Sequence, residues 1–155
     1  MEKNLTALKT VLAAACTAVS AFLGWKGILA LSWLAVMALD YISGTAAACK
    51  AGEWSSRRAR EGLWHKCGMI FAVAVAGIAD GVMVVIIGNI PALGVQWPGL
   101  AFPLVLTWYI LTELGSILEN AVKLGAVVPQ PLVNMLKTSL KAVEGPEAED
   151  QEEHK

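Results

Sequence analysis

Three carboxylates stand inside long apolar runs of this chain. Asp40 lies in GILALSWLAVMALDYISGTAAA, Asp80 in CGMIFAVAVAGIADGVMVVII and Glu113 in GLAFPLVLTWYILTELGSIL, with Glu119 at the exit of the last run. An ionised carboxylate at the centre of a membrane helix costs about 2.5–3.5 kcal/mol even on a lenient insertion scale. No Lys or Arg is expected at the same depth. The acids are therefore expected to be protonated, hydrogen-bonded to neighbouring helices, or turned toward water. Two roles follow, and they are compatible. The acids can line an aqueous path, or they can hold a helix bundle together through interhelical hydrogen bonds of about 0.6–2 kcal/mol each.

Small residues accompany the acids. Gly77 and Gly81 form a G-x-x-x-G pair flanking Asp80, and Gly44 and Ala48 repeat the spacing beside Asp40. Ala13, Thr17, Ala21 and Gly24 give the first apolar run a small, partly polar face. Such faces let helix backbones approach closely. Signatures of enzymes are missing: there is no G-x-S-x-G, Walker loop or H-E-x-x-H. Cys16, Cys49 and Cys67 show no C-x-x-C spacing, and His65 beside Cys67 has no fourth ligand pattern. Neither a metal nor a cofactor is expected.

The elements that must position the acids follow from composition. The chain has 155 residues, 56% hydrophobic and 16% charged, with mean hydropathy +0.58. Soluble domains carry roughly 25% charged residues, so this chain is short of solubilising surface. A disordered chain, a disulfide scaffold and a basic nucleic-acid-binding domain are disfavoured, and no nucleic-acid partner is expected. Four apolar runs, at residues 5–25, 27–48, 67–87 and 99–118, approach the roughly 20 residues that cross a bilayer. The first requires Lys9 to snorkel, and it is read as a retained span rather than a cleaved signal peptide.

Charge sets the expected orientation. Residues 50–66 hold Lys50, Arg57, Arg58, Arg60 and Lys66, whereas residues 88–98 hold no charge. The positive-inside rule makes the first segment a cytoplasmic basic loop and the second an outer connection. The expected fold is an all-α integral membrane protein with four transmembrane helices and both termini in the cytoplasm. Residues 1–127 form the transmembrane domain. Residues 128–143 form a short amphipathic helix, on the inner membrane surface or against a neighbour's cytoplasmic face. Residues 144–155, with six acids and one Lys, form a disordered acidic tail.

The run LDYISGTAAACKAGEWSSRRAREGLWHKCGMI resembles the central signature of the toxin-secretion/phage-lysis holin family, phage holin family 4. Asp40, Gly44, Ser55 or Ser56, Gly62 and Lys66 match the family's pattern in order. TELGSILENAVKLGAVVPQPL is similar to its last-span ending, through Glu113, Ser116, Glu119, Asn120, Gly125 and Pro129. Asp80 matches the acid of the intervening span. The resemblance covers residues 31–140. It implies a phage or prophage protein without catalytic activity that self-associates in the lipid bilayer of the bacterial inner membrane. Its holes would release an endolysin or a toxin, without stable binding to either. The tail departs from the basic tail of many holins. The residues alone leave open a small proton-coupled exporter or accessory subunit, and a membrane-anchored interaction protein.

Overall fold

The computed structural model describes residues 2–90 and 94–144; of residues 2–16 and 18–23 it describes the backbone alone. Four helices follow in order: α1 (Glu2–Ala51), α2 (Ser56–Asn89), α3 (Ala101–Lys123) and α4 (Gln130–Glu144). No strand occurs among the described residues. Three segments are long and apolar enough to cross a membrane: Gly24–Ala51, Ser56–Asn89 and Ala101–Lys123. These contain the second, third and fourth apolar runs.

The first run differs from expectation. It is joined to the second in one helical stretch broken only at Gly24, whose φ of 64° and ψ of −174° are non-helical. A side chain is strongly disfavoured at this φ, so glycine is the residue that permits the break. Gly24 is therefore a hinge point rather than part of a helix-packing face. Thr17 is exposed; the packing expected of Ala13 and Ala21 lies outside the described side chains, as does that of Cys16. Lys26 follows the break on the helix.

Local chemistry ends the other elements. At the end of α1, Gly52 N–H donates to Cys49 O at 3.1 Å and Glu53 N–H to Ala48 O at 3.0 Å, the paired bonds of a Schellman turn. Gly125 and Ala126 close α3 in the same way, donating to Val122 O and Ala121 O, both at 2.9 Å. Ser55 caps α2 by accepting from Arg58 N–H at 3.2 Å. Only residues 52–55 separate α1 from α2. The expected basic loop is thus mostly helix: Arg57, Arg58, Arg60 and Lys66 stand on the opening turns of α2, and Lys50 on the last turn of α1. Alternating Arg, Ala, Glu and Leu favour helix, and Arg57 and Glu61 pair at 2.9 Å with i, i+4 spacing.

α3 is the central helix. It packs along α1 and also meets α2 and α4, whereas α1 and α2 barely touch. The core is a single cluster of Trp33 and Met37 from α1, Met69 and Val73 from α2, and Leu106 from α3, the last fully buried. Tyr109 of α3 stacks on Trp33 with ring centroids 6.2 Å apart. Outside this core, Phe71, Val75, Ile78 and Val85 of α2 are exposed, the surface expected of a helix that meets lipid.

Candidate functional site

Two polar clusters bracket the apolar core, called inner and outer after the orientation that the charge pattern leads one to expect. The inner one is built on Lys66, one residue before the apolar run of α2. Its ammonium donates to Asp40 Oδ2 of α1 at 3.0 Å and to Glu113 Oε1 and Oε2 of α3 at 2.9 and 2.6 Å. One cation thereby ties three helices. The site is largely removed from solvent: side-chain exposure is 12% for Lys66, 19% for Asp40 and 6% for Glu113. Asn120, two turns further along α3, donates from Nδ2 to Asp40 Oδ1 at 3.2 Å and to Ser43 Oγ at 3.1 Å.

This overturns the expectation that no base reaches the span acids. The physical reason is the helical start of α2: ten residues of helix carry Lys66 about 15 Å from Ser56, to the level of Asp40 and Glu113. Two carboxylates face one ammonium, so the site's formal charge is −1 when all three groups are ionised.

The outer cluster is built on Asp80, which is 7% exposed. It stands 14 residues beyond Lys66 on α2, about 21 Å along the axis. Asp80 Oδ1 accepts from Trp97 Nε1 at 2.9 Å and from Ala101 N–H at 3.0 Å, and Oδ2 accepts from Phe102 N–H at 2.9 Å. Leu100, the residue preceding α3, offers no side-chain cap. Asp80 supplies that cap from another helix, and its charge meets the positive end of the α3 dipole. Lys26 Nζ donates to Gly99 O at 2.9 Å on the same turn.

Gly99 is the tightest point of this cluster. Its φ is +69°, and a Cβ there would lie 2.5 Å from Lys26 Nζ and 3.6 Å from Asp80 Oδ2. Gly99→Ala is expected to displace Lys26 and to lower stability by about 1–3 kcal/mol through backbone strain. Unfolding in detergent measures this, and an unchanged midpoint would remove the close approach from the account.

The other expected residues divide. Gly44 and Gly77 are packing positions within the chain: a Cβ at Gly44 would lie 3.4 Å from Asn120, and one at Gly77 3.3 Å from the Phe102 ring. Ala48 is half-buried on the Gly44 side of α1. A Cβ at Gly81 would meet nothing within 4 Å, and the residue lies in a shallow outward groove with Ile78, Val82, Val85 and Ile86. Glu119 is exposed and lines a cavity between α3 and α4. Arg58 pairs with Glu53 at 3.4 Å on the surface, Arg60 is exposed, and Lys50 donates to Leu124 O at 2.6 Å, covering the C-terminal end of α3.

A cleft of about 200 Å³ between α1 and the start of α2 reaches the inner cluster, lined by Trp54, Arg58, Gly62, Lys66 and Asp40 among others. Among the described residues no group of His, Cys, Asp and Glu has the arrangement of a metal site.

A buried charge network among three helices long and apolar enough to cross a membrane suits a membrane protein, and sequence comparison names its kind. The family model of the bacteriophage holin family matches residues 17–141. The chain belongs to the bacteriophage holin family. Holins are membrane pore-formers and not enzymes. The holin match spans both polar clusters and α4 as far as residue 141. The chain is similar to an uncharacterised protein of Halalkalibacterium halodurans, 32% identical over 148 residues that cover 96% of this chain and 99% of the relative. It is also similar to an uncharacterised protein of Listeria monocytogenes, 32% identical over 115 residues, or 74% of this chain and 71% of that one. No solved structure matches.

Proposed function

We propose that this protein is a phage or prophage holin that self-associates in the bacterial inner membrane and opens holes through which an endolysin or a toxin leaves the cytoplasm. The observation that carries the reading is the holin-family match over residues 17–141. The geometry adds a means of control. The Lys66 tie holds Asp40 and Glu113 between the helices, where both carboxylates are largely buried. While the tie is made, these charges stay buried between the helices and the subunit stays harmless. When it opens, polar surface is released that only water or another subunit can satisfy.

The trigger fits the physics of the tie. Moving one elementary charge across the membrane is worth about 2.3 kcal/mol per 100 mV. Several charged groups per subunit, multiplied over an assembly, make opening steep once the membrane potential falls. The orientation that suits this reading places residues 52–55 and both termini in the cytoplasm, with Trp97 and Gly99 at the outer face.

Inducible co-expression with a phage endolysin tests the function. Culture turbidity is expected to hold steady and then fall abruptly, with release of a cytosolic reporter. Steady turbidity at full membrane accumulation would overturn the reading, and saturable flux of a small solute through reconstituted protein would favour an exporter.

A further inference from the structure

α4 packs on α3 of its own chain and runs back antiparallel along it. Its last residue, Glu144, accepts from Trp108 Nε1 at 3.0 Å, and Leu136 is buried near Gly115 and Leu118 of α3. The two helices do not close on each other throughout. At the carboxyl end of α3 a cavity of about 480 Å³ stays open between them, within the roughly 300–1,000 Å³ of pockets that take small ligands. It follows α3 from Gly115 to its last residue, Lys123, about 12 Å of helix.

The lining is part apolar and part charged. Leu118, Val122, Val133 and Leu136 supply the apolar part, and Glu119, Lys123 and Lys137 the charged part. All three charged residues are exposed. Glu119 and Lys123 stand at i, i+4, a spacing that favours pairing. Yet among the described residues no ion pair engages either of them or Lys137. Two ammoniums and one carboxylate leave the lining with a formal charge of +1. Lys50 donates to Leu124 O and so offsets the negative end of the α3 dipole beside the cavity. The surroundings are apolar. Residues 124–129, LGAVVP, carry no charge, and Val127 among them is 96% exposed. Val122, Leu124 and Met135 are exposed around the same end. No part of the described chain covers these side chains, and α3 is long and apolar enough to cross a membrane. A charge-free loop at the end of such a helix suits the headgroup boundary, with its neighbouring lysines at the level of the phosphates.

We infer that the cavity between the carboxyl end of α3 and α4 binds one anionic glycerophospholipid of the surrounding leaflet, its phosphodiester held by Lys123 and Lys137 and an acyl chain lying against Leu118, Val122, Val133 and Leu136. Basic pockets between membrane helices take anionic headgroups in this way. A lipid with a single negative charge neutralises the +1 lining. A zwitterionic lipid adds an ammonium to the two already present and leaves the lining charged. The bound lipid fastens α4 to α3 by filling the space between them. The inference needs the chain to lie in a membrane, and does not need the hole-forming reading.

Native mass spectrometry of the full chain, purified in a neutral detergent, counts the lipid that stays bound. The probes are dioleoylphosphatidylglycerol and dioleoylphosphatidylcholine, which share acyl chains and differ in headgroup charge. A single phosphatidylglycerol is expected, retained about tenfold more than phosphatidylcholine. Lys123→Gln with Lys137→Gln is expected to abolish that preference. Arg57→Gln with Arg60→Gln, which removes two cations outside the cavity, should leave it unchanged. Glu119→Gln is expected to raise phosphatidylglycerol retention several-fold; a fall would mean that the carboxylate holds an ammonium headgroup, and would overturn the inference. Gly115→Leu keeps both lysines and adds a side chain where a Cβ meets nothing within 4 Å, so it is expected to displace the lipid. Equal retention of the two lipids by the unaltered chain overturns the inference. So does a preference that survives loss of Lys123 and Lys137, or that falls equally with Arg57 and Arg60. Displacement of phosphatidylglycerol by millimolar glycerol phosphate also overturns it, because the site would then hold the anion and not the lipid. Should the double glutamine variant fail to accumulate, Gly115→Leu decides, and lipid still bound in full overturns the site. Absence of lysis in cells bears on the hole-forming reading alone and moves none of these measurements.

Discussion

Lys66→Met is expected to destabilise the folded subunit by about 3–5 kcal/mol, the cost of leaving buried charge without its partner. Asp40 and Glu113 both lose the ammonium that they share. Two carboxylates are then left facing each other beside an apolar core, with only Asn120 still donating to one of them. Protonation of the acids relieves part of this and cannot restore a tie between three helices. The variant should accumulate poorly in the membrane and unfold in detergent at a lower denaturant concentration. Replacing the whole site decides whether charge or packing is responsible. Asp40→Asn, Lys66→Met and Glu113→Gln together remove every uncompensated charge at nearly constant volume. A buried ion network exchanged for neutral groups is often neutral or stabilising, so the triple variant is expected to accumulate normally. Its lysis should lose the sharp dependence on membrane potential, because the charged groups that respond to potential are gone. Normal accumulation and an unchanged unfolding midpoint for Lys66→Met would remove the tie from the account. A triple variant that still triggers sharply on depolarisation would place the voltage response elsewhere.

The spans were legible because lipid imposes a strong rule: runs of about 20 apolar residues become helices. The acids within them were legible for the same reason, since each violates that rule at a cost. Lys66 was not, because a polar run between two spans reads as a loop. The signal that it is helix was present in the Ser55 cap position and the Arg57–Glu61 spacing, which carry α2 about three turns before its apolar run begins. Nothing local in the sequence assigned Trp97 and Lys26 to Asp80 and Gly99. Their roles arise from the fold of the start of α3 onto α2 and α1, through contacts between residues 17 and 73 positions apart. Asn120 had no periodic signal, being one polar residue near a helix end. The amphipathic pattern of α4 gave its existence and almost its bounds, 128–143 expected against Gln130–Glu144 found. It could not give the direction, because the same apolar stripe serves a membrane surface and the flank of α3 equally.

Asp80→Ala is expected to be the most damaging single change at the outer end, at about 3–5 kcal/mol. Hydrogen bonds to charged groups contribute about 1.5–3 kcal/mol each, and three meet at this carboxylate without being additive. The loss has a local signature. Ala101 and Phe102 N–H are the first donors of α3, and no side chain of their own helix satisfies them. Without Asp80 they are orphaned beside lipid, where an unsatisfied donor has no water to turn to. The first turn of α3 should therefore fray, and Phe102 should leave Gly77, against which its ring now rests. Amide exchange at Ala101 and Phe102 is expected to accelerate by at least tenfold, while exchange around Leu118 stays slow. Asp80→Asn separates charge from geometry. Its carbonyl can still accept, but its amide meets an N–H that needs an acceptor, so the expected loss is about half of that for alanine. Trp97→Phe keeps both backbone bonds and should cost about 1.5–3 kcal/mol, leaving protection at Phe102 intact. Unchanged exchange at Phe102 in Asp80→Ala would show that α3 begins without help from α2. Protection lost equally along all of α3 would instead assign Asp80 to global stability, and the outer cluster would no longer be a cap supplied by a neighbouring helix.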